Sequence, residues 1–149
     1  MKIDLDYIKL LLNTAIESEM PFITIRDWEK QGIKFDGFNK PLDHKFIFHL
    51  KILINKKLIT NFNKSKSPVT LEDLGIMVLL KDSSWIMTNP VPVCLTQEGH
   101  DFAGILRNGE VLNRLKSDFQ NMTYDVILDA GKTLLSAFAK KKLESLKLA

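Results

Sequence analysis

Residues 41–62 read PLDHKFIFHLKILINKKLITNF and carry the clearest structural signal in the chain. Apolar residues at helical spacing predict a helix over about residues 41–57. These residues are Leu42, Phe46, Leu50 and Leu53. Pro41 suits a first helical position, and Asp43 complements the positive end of the helix dipole. The β-prone run 58–62 then predicts a strand that follows the helix directly.

The segment before this helix predicts one more helix and one short strand. Asp4 is a candidate N-cap for a helix that Pro21 stops. The next residues, 22–25, read FITI and are β-prone, which favours a single strand. Residues 27–40 contain Gly32, Gly37 and Asn39 and favour no definite structure, although they could hold one short helical turn.

A long, apolar segment separates the predicted strand at 58–62 from the next helix. The run 74–80 fits either a strand or a helix, whereas 84–88 and 91–95 favour extended structure. Three prolines interrupt this segment and restrict strand pairing in it. They are Pro68, Pro90 and Pro92. We expect a segment this long and apolar to pack on the body of the protein.

Three helices are predicted to end the chain. Thr96 caps the first, Asn108-Gly109 breaks it, and two more follow at about 110–120 and 124–146. The last one carries an apolar stripe of Ile127, Leu134, Leu135 and Phe138. Such a stripe needs cover, either from the first helix of the same chain or from the same helix in a homodimer.

This order predicts an α+β fold of the winged helix-turn-helix type, with an extended wing and additional C-terminal helices. We treat residues 1–149 as a single domain. Residues 1–106 form the predicted winged-helix core, in which 58–96 are the long wing. Residues 107–149 form the C-terminal helical extension.

Two motifs carry a family resemblance. HLKIL at 49–53 is followed by KKLI at 56–59, and LTQEGHDF spans 95–102. Together with the opening MKIDLDYI at 1–8, they resemble an uncharacterised winged-helix-like family of phage and bacterial prophage proteins. The resemblance implies the fold, but no assigned activity and no catalytic residue. Lys57 departs from the family, which has a helix-ending glycine there, and so a left-handed backbone is expected at Lys57.

Composition excludes several classes of protein. Cys94 is the only cysteine, so that neither an internal disulfide nor a cysteine-based zinc site is expected. No apolar run is long enough for a transmembrane helix, and the acids Asp4 and Asp6 do not fit a signal peptide. We therefore expect a cytoplasmic protein.

Basic residues are concentrated beside the predicted central helix. Residues 40–66 contain seven lysines and one acid, and the ten residues 140–149 contain four lysines and one acid. Localised positive charge attracts nucleic-acid phosphates. Since 18 of the 21 basic residues are lysine, a coding bias toward lysine is an equally good explanation.

The predicted nucleic-acid-binding residues lie on this helix and just beyond it. They are His44, Lys45, Lys51, Asn55, Lys56, Lys64 and Lys66. The lysines on the helix would meet phosphates, while His44 and Asn55 could reach base edges. The helix contains no arginine, which argues against strong sequence reading. Double-stranded DNA is the first candidate partner, a host protein is the alternative, and a merely solvated lysine face remains open.

Catalytic and metal-binding patterns are weak. His100-Asp101 beside Glu98 is typical of a helix start, and His44 and His49 are five residues apart, a spacing that does not suit a zinc pair. Neither a nucleotide-binding glycine motif nor a recognisable Ser/His/Asp order is present. The prediction is a non-enzymatic protein with no catalytic residues, no metal and no cofactor.

Overall fold

The computed structural model describes residues 1–34, 41–63, 69–78, 84–87 and 89–148. Within these ranges the helices are α1 (Leu5–Ile16), α2 (Ile25–Lys30), α3 (His44–Asn55), α4 (Gln97–Arg107), α5 (Gly109–Asp118) and α6 (Tyr124–Leu148). The strands are β1 (Ile59–Asn61), β2 (Ile76–Val78), β3 (Trp85–Met87) and β4 (Val93–Leu95), and a 3₁₀ turn, Glu72–Leu74, precedes β2. The fold is thus α+β.

Strand β4 lies between two segments from earlier in the chain and pairs with both of them. It pairs antiparallel with β1, so that Asn61 lies opposite Val93. Val93 also forms an antiparallel bridge with Ile23, which lies between α1 and α2. The segments therefore lie side by side in the order Ile23, β4, β1. A separate antiparallel hairpin consists of β2 and β3.

Helix α1 begins where the sequence predicts but ends earlier. The Asp4 carboxylate accepts the Tyr7 N–H, which confirms Asp4 as the N-cap. The helix ends at Ile16 and not at Pro21. The hydroxyl of Ser18 accepts the Met20 N–H and contacts the Phe22 carbonyl, and such local bonds compete with helical ones.

The predicted strand at 22–25 is mostly wrong. It shrinks to the single bridge at Ile23, and Ile25 already belongs to α2. The cause is a capping box, in which the Asp27 carboxylate accepts the Thr24 N–H and starts the helix at this point. The short helical turn considered possible within residues 27–40 is observed as α2, which begins earlier, at Ile25.

Helix α3 is shorter than predicted at both ends. It begins at His44, while Pro41 is extended and bridges Ile86 of β3. Lys56 follows the helix, and Lys57 has a positive φ of 57°. The left-handed backbone expected at Lys57 is confirmed, and it turns the chain sharply into β1.

The described part of the segment between β1 and β4 packs on the body, as expected from its apolar composition. Val69, Leu74, Ile76 and Met87 all lie in the hydrophobic core. The Leu42 N–H donates to the Trp85 carbonyl at 2.7 Å and joins β3 to the chain leading into α3. Pro68 and residues 79–80, the end of the run 74–80, lie outside the described residues.

The last three helices continue the same core. The Thr96 hydroxyl caps α4, and Asn108 both ends α4 and caps α5. Helix α6 packs on α4 and α5, where Gly131 lies against Ile105. The last helix thus docks within the chain, which was one of the two expected alternatives, but mainly on α4 and α5 and not on α1. None of the described helices is long and apolar enough to cross a membrane.

Candidate nucleic-acid interface

Helix α3 presents one polar ridge to solvent, which we call the outer face of α3. It consists of His44, Lys51 and Asn55, which are all exposed. Their spacing of seven and four residues places them on one side of a helix, two turns and one turn apart. Phe46, Leu50 and Leu53 lie on the opposite side of α3 and are buried in the core. Three of the predicted site residues are thus brought together.

The β2–β3 hairpin borders this outer face. The Lys51 ammonium lies 5.3 Å from the centre of the Trp85 ring, a distance that suits a cation–π contact. Lys51, Asn55, Glu72 and Trp85 line a shallow groove between the helix and the hairpin. One edge of the outer face is therefore covered by protein.

Lys45 lies on a different side of α3 and already has a partner. Its ammonium is 2.8 Å from the Asp4 carboxylate and 4.9 Å from the centre of the Tyr7 ring. Asp4 is the residue that caps α1, so Lys45 joins α3 to the start of α1. The structure separates Lys45 from the outer face.

Lys56 shares that second side, since it follows Lys45 by eleven residues, or about three helical turns. Its ammonium is 3.3 Å from the Asp125 carboxylate and 5.4 Å from the centre of the Tyr124 ring. Both contacts are made with the first turn of α6. Asp125 is 74% exposed, so this ion pair is open to solvent.

Four lysines remain to be described, of which two were predicted as site residues and two were not. Lys64 and Lys66 lie outside the described residues. Lys57 is exposed directly after α3, and its position next to Lys56 in the sequence could have indicated it as a candidate site residue. Lys2 lies in a groove with Phe48 of α3 and donates to Asn121 at 3.0 Å. Nothing local in the sequence indicates that Lys2 approaches α3.

His49 is the polar residue of α3 that the structure buries completely. Its Nε2 accepts the Asp4 N–H at 2.9 Å, and its Nδ1 lies 2.8 Å from the Lys45 carbonyl. Because Nε2 accepts, Nδ1 carries the proton and donates to Lys45, which defines a neutral imidazole. Burial lowers the pKa of His49, and it outweighs the opposing effects of the Lys45 carbonyl and Asp4.

Asp4 belongs to the same cluster. Burial by itself raises the pKa of this carboxyl, but the bonds from Lys45 and from the Tyr7 N–H outweigh burial and lower the pKa below 3.8. The ring of Tyr7 lies 4.6 Å from that of His49 and closes the cluster. These contacts are structural in kind, since they tie the start of α1 to α3.

The remaining candidates for chemistry are dispersed. His100 is exposed in the first turn of α4. Burial raises the pKa of the Cys94 thiol, so a reactive thiolate is disfavoured there. Across the residues that the structure describes, no three His, Cys, Asp or Glu side chains are grouped closely enough to hold a metal ion. No family model, curated protein or solved structure matches this chain.

Proposed function

We propose that this chain is a winged-helix protein of phage or prophage type that binds double-stranded DNA through the outer face of α3. In this proposal it acts in the cytoplasm as a small regulator and is not an enzyme. The observation that carries it is the outer face itself, where Lys51, His44 and Asn55 are exposed together on a helix whose other side is firmly packed.

The order of elements supports the winged-helix assignment. α1, Ile23, α2, α3 and β1 follow one another, and β4 returns between Ile23 and β1. In a winged helix-turn-helix domain, the helix before the hairpin is the one that enters the major groove. By its position in the chain, α3 is that helix.

The side chains of the outer face suit two kinds of contact with DNA, one to phosphates and one to base edges. The Lys51 ammonium suits a phosphate, whereas the His44 imidazole and the Asn55 amide can bond base edges. Lys56 lies on the second side of α3, so it would meet only a phosphate beside the outer face. Its solvent-exposed ion pair with Asp125 contributes only about 0–1 kcal/mol and would not prevent this contact. Lys45 is the least available of the three, since its partner Asp4 also caps α1.

A protein-binding module is the second candidate, and the position of the β2–β3 hairpin favours it. A wing that reaches DNA extends away from the body, but here Trp85 lies over Lys51 and Ile76 is fully buried. The groove between α3 and the hairpin would then receive an apolar anchor of a host protein, and binding would depend little on salt.

The test measures anisotropy of a labelled mixed-sequence duplex between about 50 and 200 mM salt. DNA binding predicts affinity that falls steeply with salt, and Lys51→Gln lowers both the affinity and the salt slope, the slope by about 0.9 for one phosphate contact. The matched control is Lys132→Gln, which removes an exposed lysine from α6. Absence of binding to any duplex in low salt would refute the DNA proposal.

A further inference from the structure

Helix α6 extends beyond the rest of the protein. It spans 25 residues, of which Ile127 and Gly131 are buried and Leu134, Leu135 and Phe138 are half-buried, and its side chains line a pocket with α5 as far as Lys141. From Ala139 to Lys147 every side chain is exposed. At 1.5 Å per residue, this end projects by about 14 Å.

An apolar stripe continues from the docked half of α6 onto the projecting half. Half-buried Leu128 and Leu135 are followed by exposed Ala139, Leu143 and Leu146. The steps of seven, four, four and three residues keep these side chains on one side of the helix, and exposed Lys132 lies in the same line between Leu128 and Leu135. Leu143 is 59% and Leu146 is 64% exposed.

Such a projecting end is poorly stabilised by itself. A helical segment of about ten residues is marginal in water, because most helix stability comes from packing an apolar face. Leu143 and Leu146 also lack the hydrophobic stabilisation that full burial of a leucine side chain would provide. Both arguments call for an occupant that covers the stripe along its length.

The charges along α6 identify this occupant. The first half carries Asp125, Asp129 and Lys132, whereas residues 140–147 carry four lysines and one acid, Glu144. Two α6 helices that ran parallel would place the lysine-rich ends together. An antiparallel pair places each lysine-rich end beside the acidic half of the other helix, which is electrostatically favourable.

We propose that two copies of this chain pair through the α6 stripe in an antiparallel, twofold-symmetric arrangement. In the register that joins the apolar side chains, Leu128 of one copy lies beside Leu146 of the other, and Leu135 lies beside Ala139. The twofold axis then crosses at the level of Ala137, whose side chain faces α5, and Asp129 approaches Lys147 of the second copy. A symmetric dimer is the commonest kind of oligomer. This pairing goes beyond DNA binding and does not depend on it.

The first test measures the solution mass of the full chain by sedimentation at increasing concentration. The wild type is expected at twice the 17.1 kDa of the chain. Leu143→Glu with Leu146→Glu is expected to give a folded protein of single-chain mass, with folding checked by circular dichroism. The control, Val126→Glu with Thr133→Glu, adds the same charge at exposed positions on another side of α6 and is expected to remain dimeric.

The second test determines the direction of pairing by a thiol-specific crosslinker in full chains carrying Cys94→Ser. Lys147→Cys with Asp129→Cys is expected to crosslink two chains, whereas Lys147→Cys alone is not. Crosslinking of Lys147→Cys alone would show a parallel pair and overturn the proposal. A monomeric wild type, or a dimer that survives the Leu143→Glu and Leu146→Glu changes, would overturn it as well. Since none of these readouts involves DNA, failure of the DNA proposal is detected separately.

Discussion

The buried imidazole of His49 accepts the backbone N–H of Asp4 at 2.9 Å, across 45 residues of sequence. Through this bond the middle of α3 holds the residue that caps α1. The other ring nitrogen donates to the Lys45 carbonyl, one helical turn earlier. Both ring nitrogens are therefore hydrogen-bonded, and the ring links α1 to α3, two helices that are not consecutive in the chain.

We expect His49→Ala to destabilise the protein by about 2–3 kcal/mol, because it removes two hydrogen bonds and leaves a cavity in the core. Urea unfolding, followed by circular dichroism, measures the change. His44→Ala is the matched control on the same helix, and its exposed side chain predicts a change within about 0.5 kcal/mol. Equal unfolding midpoints for the two variants would contradict a structural role for His49.

Stability is expected to fall as the pH drops below 6.5. Since burial lowers the pKa of His49 in the folded protein, the unfolded chain binds more protons at this residue below 6.5, its ordinary value. The contribution of His49 is complete above pH 6.5 and is lost as the pH falls toward the lowered pKa. Unfolding free energies at successive pH values measure this slope. The slope should be smaller in His49→Ala, and an unchanged slope would contradict the assignment.

Two glycines of α4 are predicted to respond oppositely to alanine. A Cβ at Gly99 would lie closer to the Leu58 carbonyl oxygen than any real contact allows, so Gly99→Ala should destabilise by roughly 1–3 kcal/mol. A Cβ at Gly104 meets nothing within 4 Å, so Gly104→Ala should stabilise by about 0.5–1 kcal/mol. Thermal unfolding of both variants provides the comparison. A shift of the same sign in both would refute the close contact at Gly99.

Lys57→Gly is expected to stabilise the protein by roughly 1 kcal/mol, because Lys57 has a φ of 57°, a region that costs side chains energy and glycine little. The control is Lys56→Gly one residue earlier, where φ is −93° and glycine brings no relief. This control should leave stability unchanged or lower it. Denaturant midpoints of the two variants test the difference, and a loss of stability in Lys57→Gly would contradict the strain at this turn.

Local features of this protein were predictable from the sequence. Asp4 and Thr96 cap their helices as expected, and Lys57 adopts the left-handed backbone expected of it. The apolar stripe of α3 is likewise buried as its spacing predicts. These features depend on residues within one or two turns of one another, where spacing, capping and backbone preference act directly.

The surroundings of the lysines depend on tertiary structure alone. Lys45 contacts Asp4 across 41 residues of sequence, and Lys56 contacts Asp125 across 69. Two of the predicted lysines therefore have acidic neighbours that no local pattern reveals. Packing of α1 and α6 on the body brings those acids to α3. The sequence by itself therefore determined that a helix forms in this region and which of its sides is apolar. Only the tertiary structure decided that Lys51, His44 and Asn55 stay exposed while Lys45 and Lys56 join neighbouring helices, because contacts between distant segments follow from how the whole core packs.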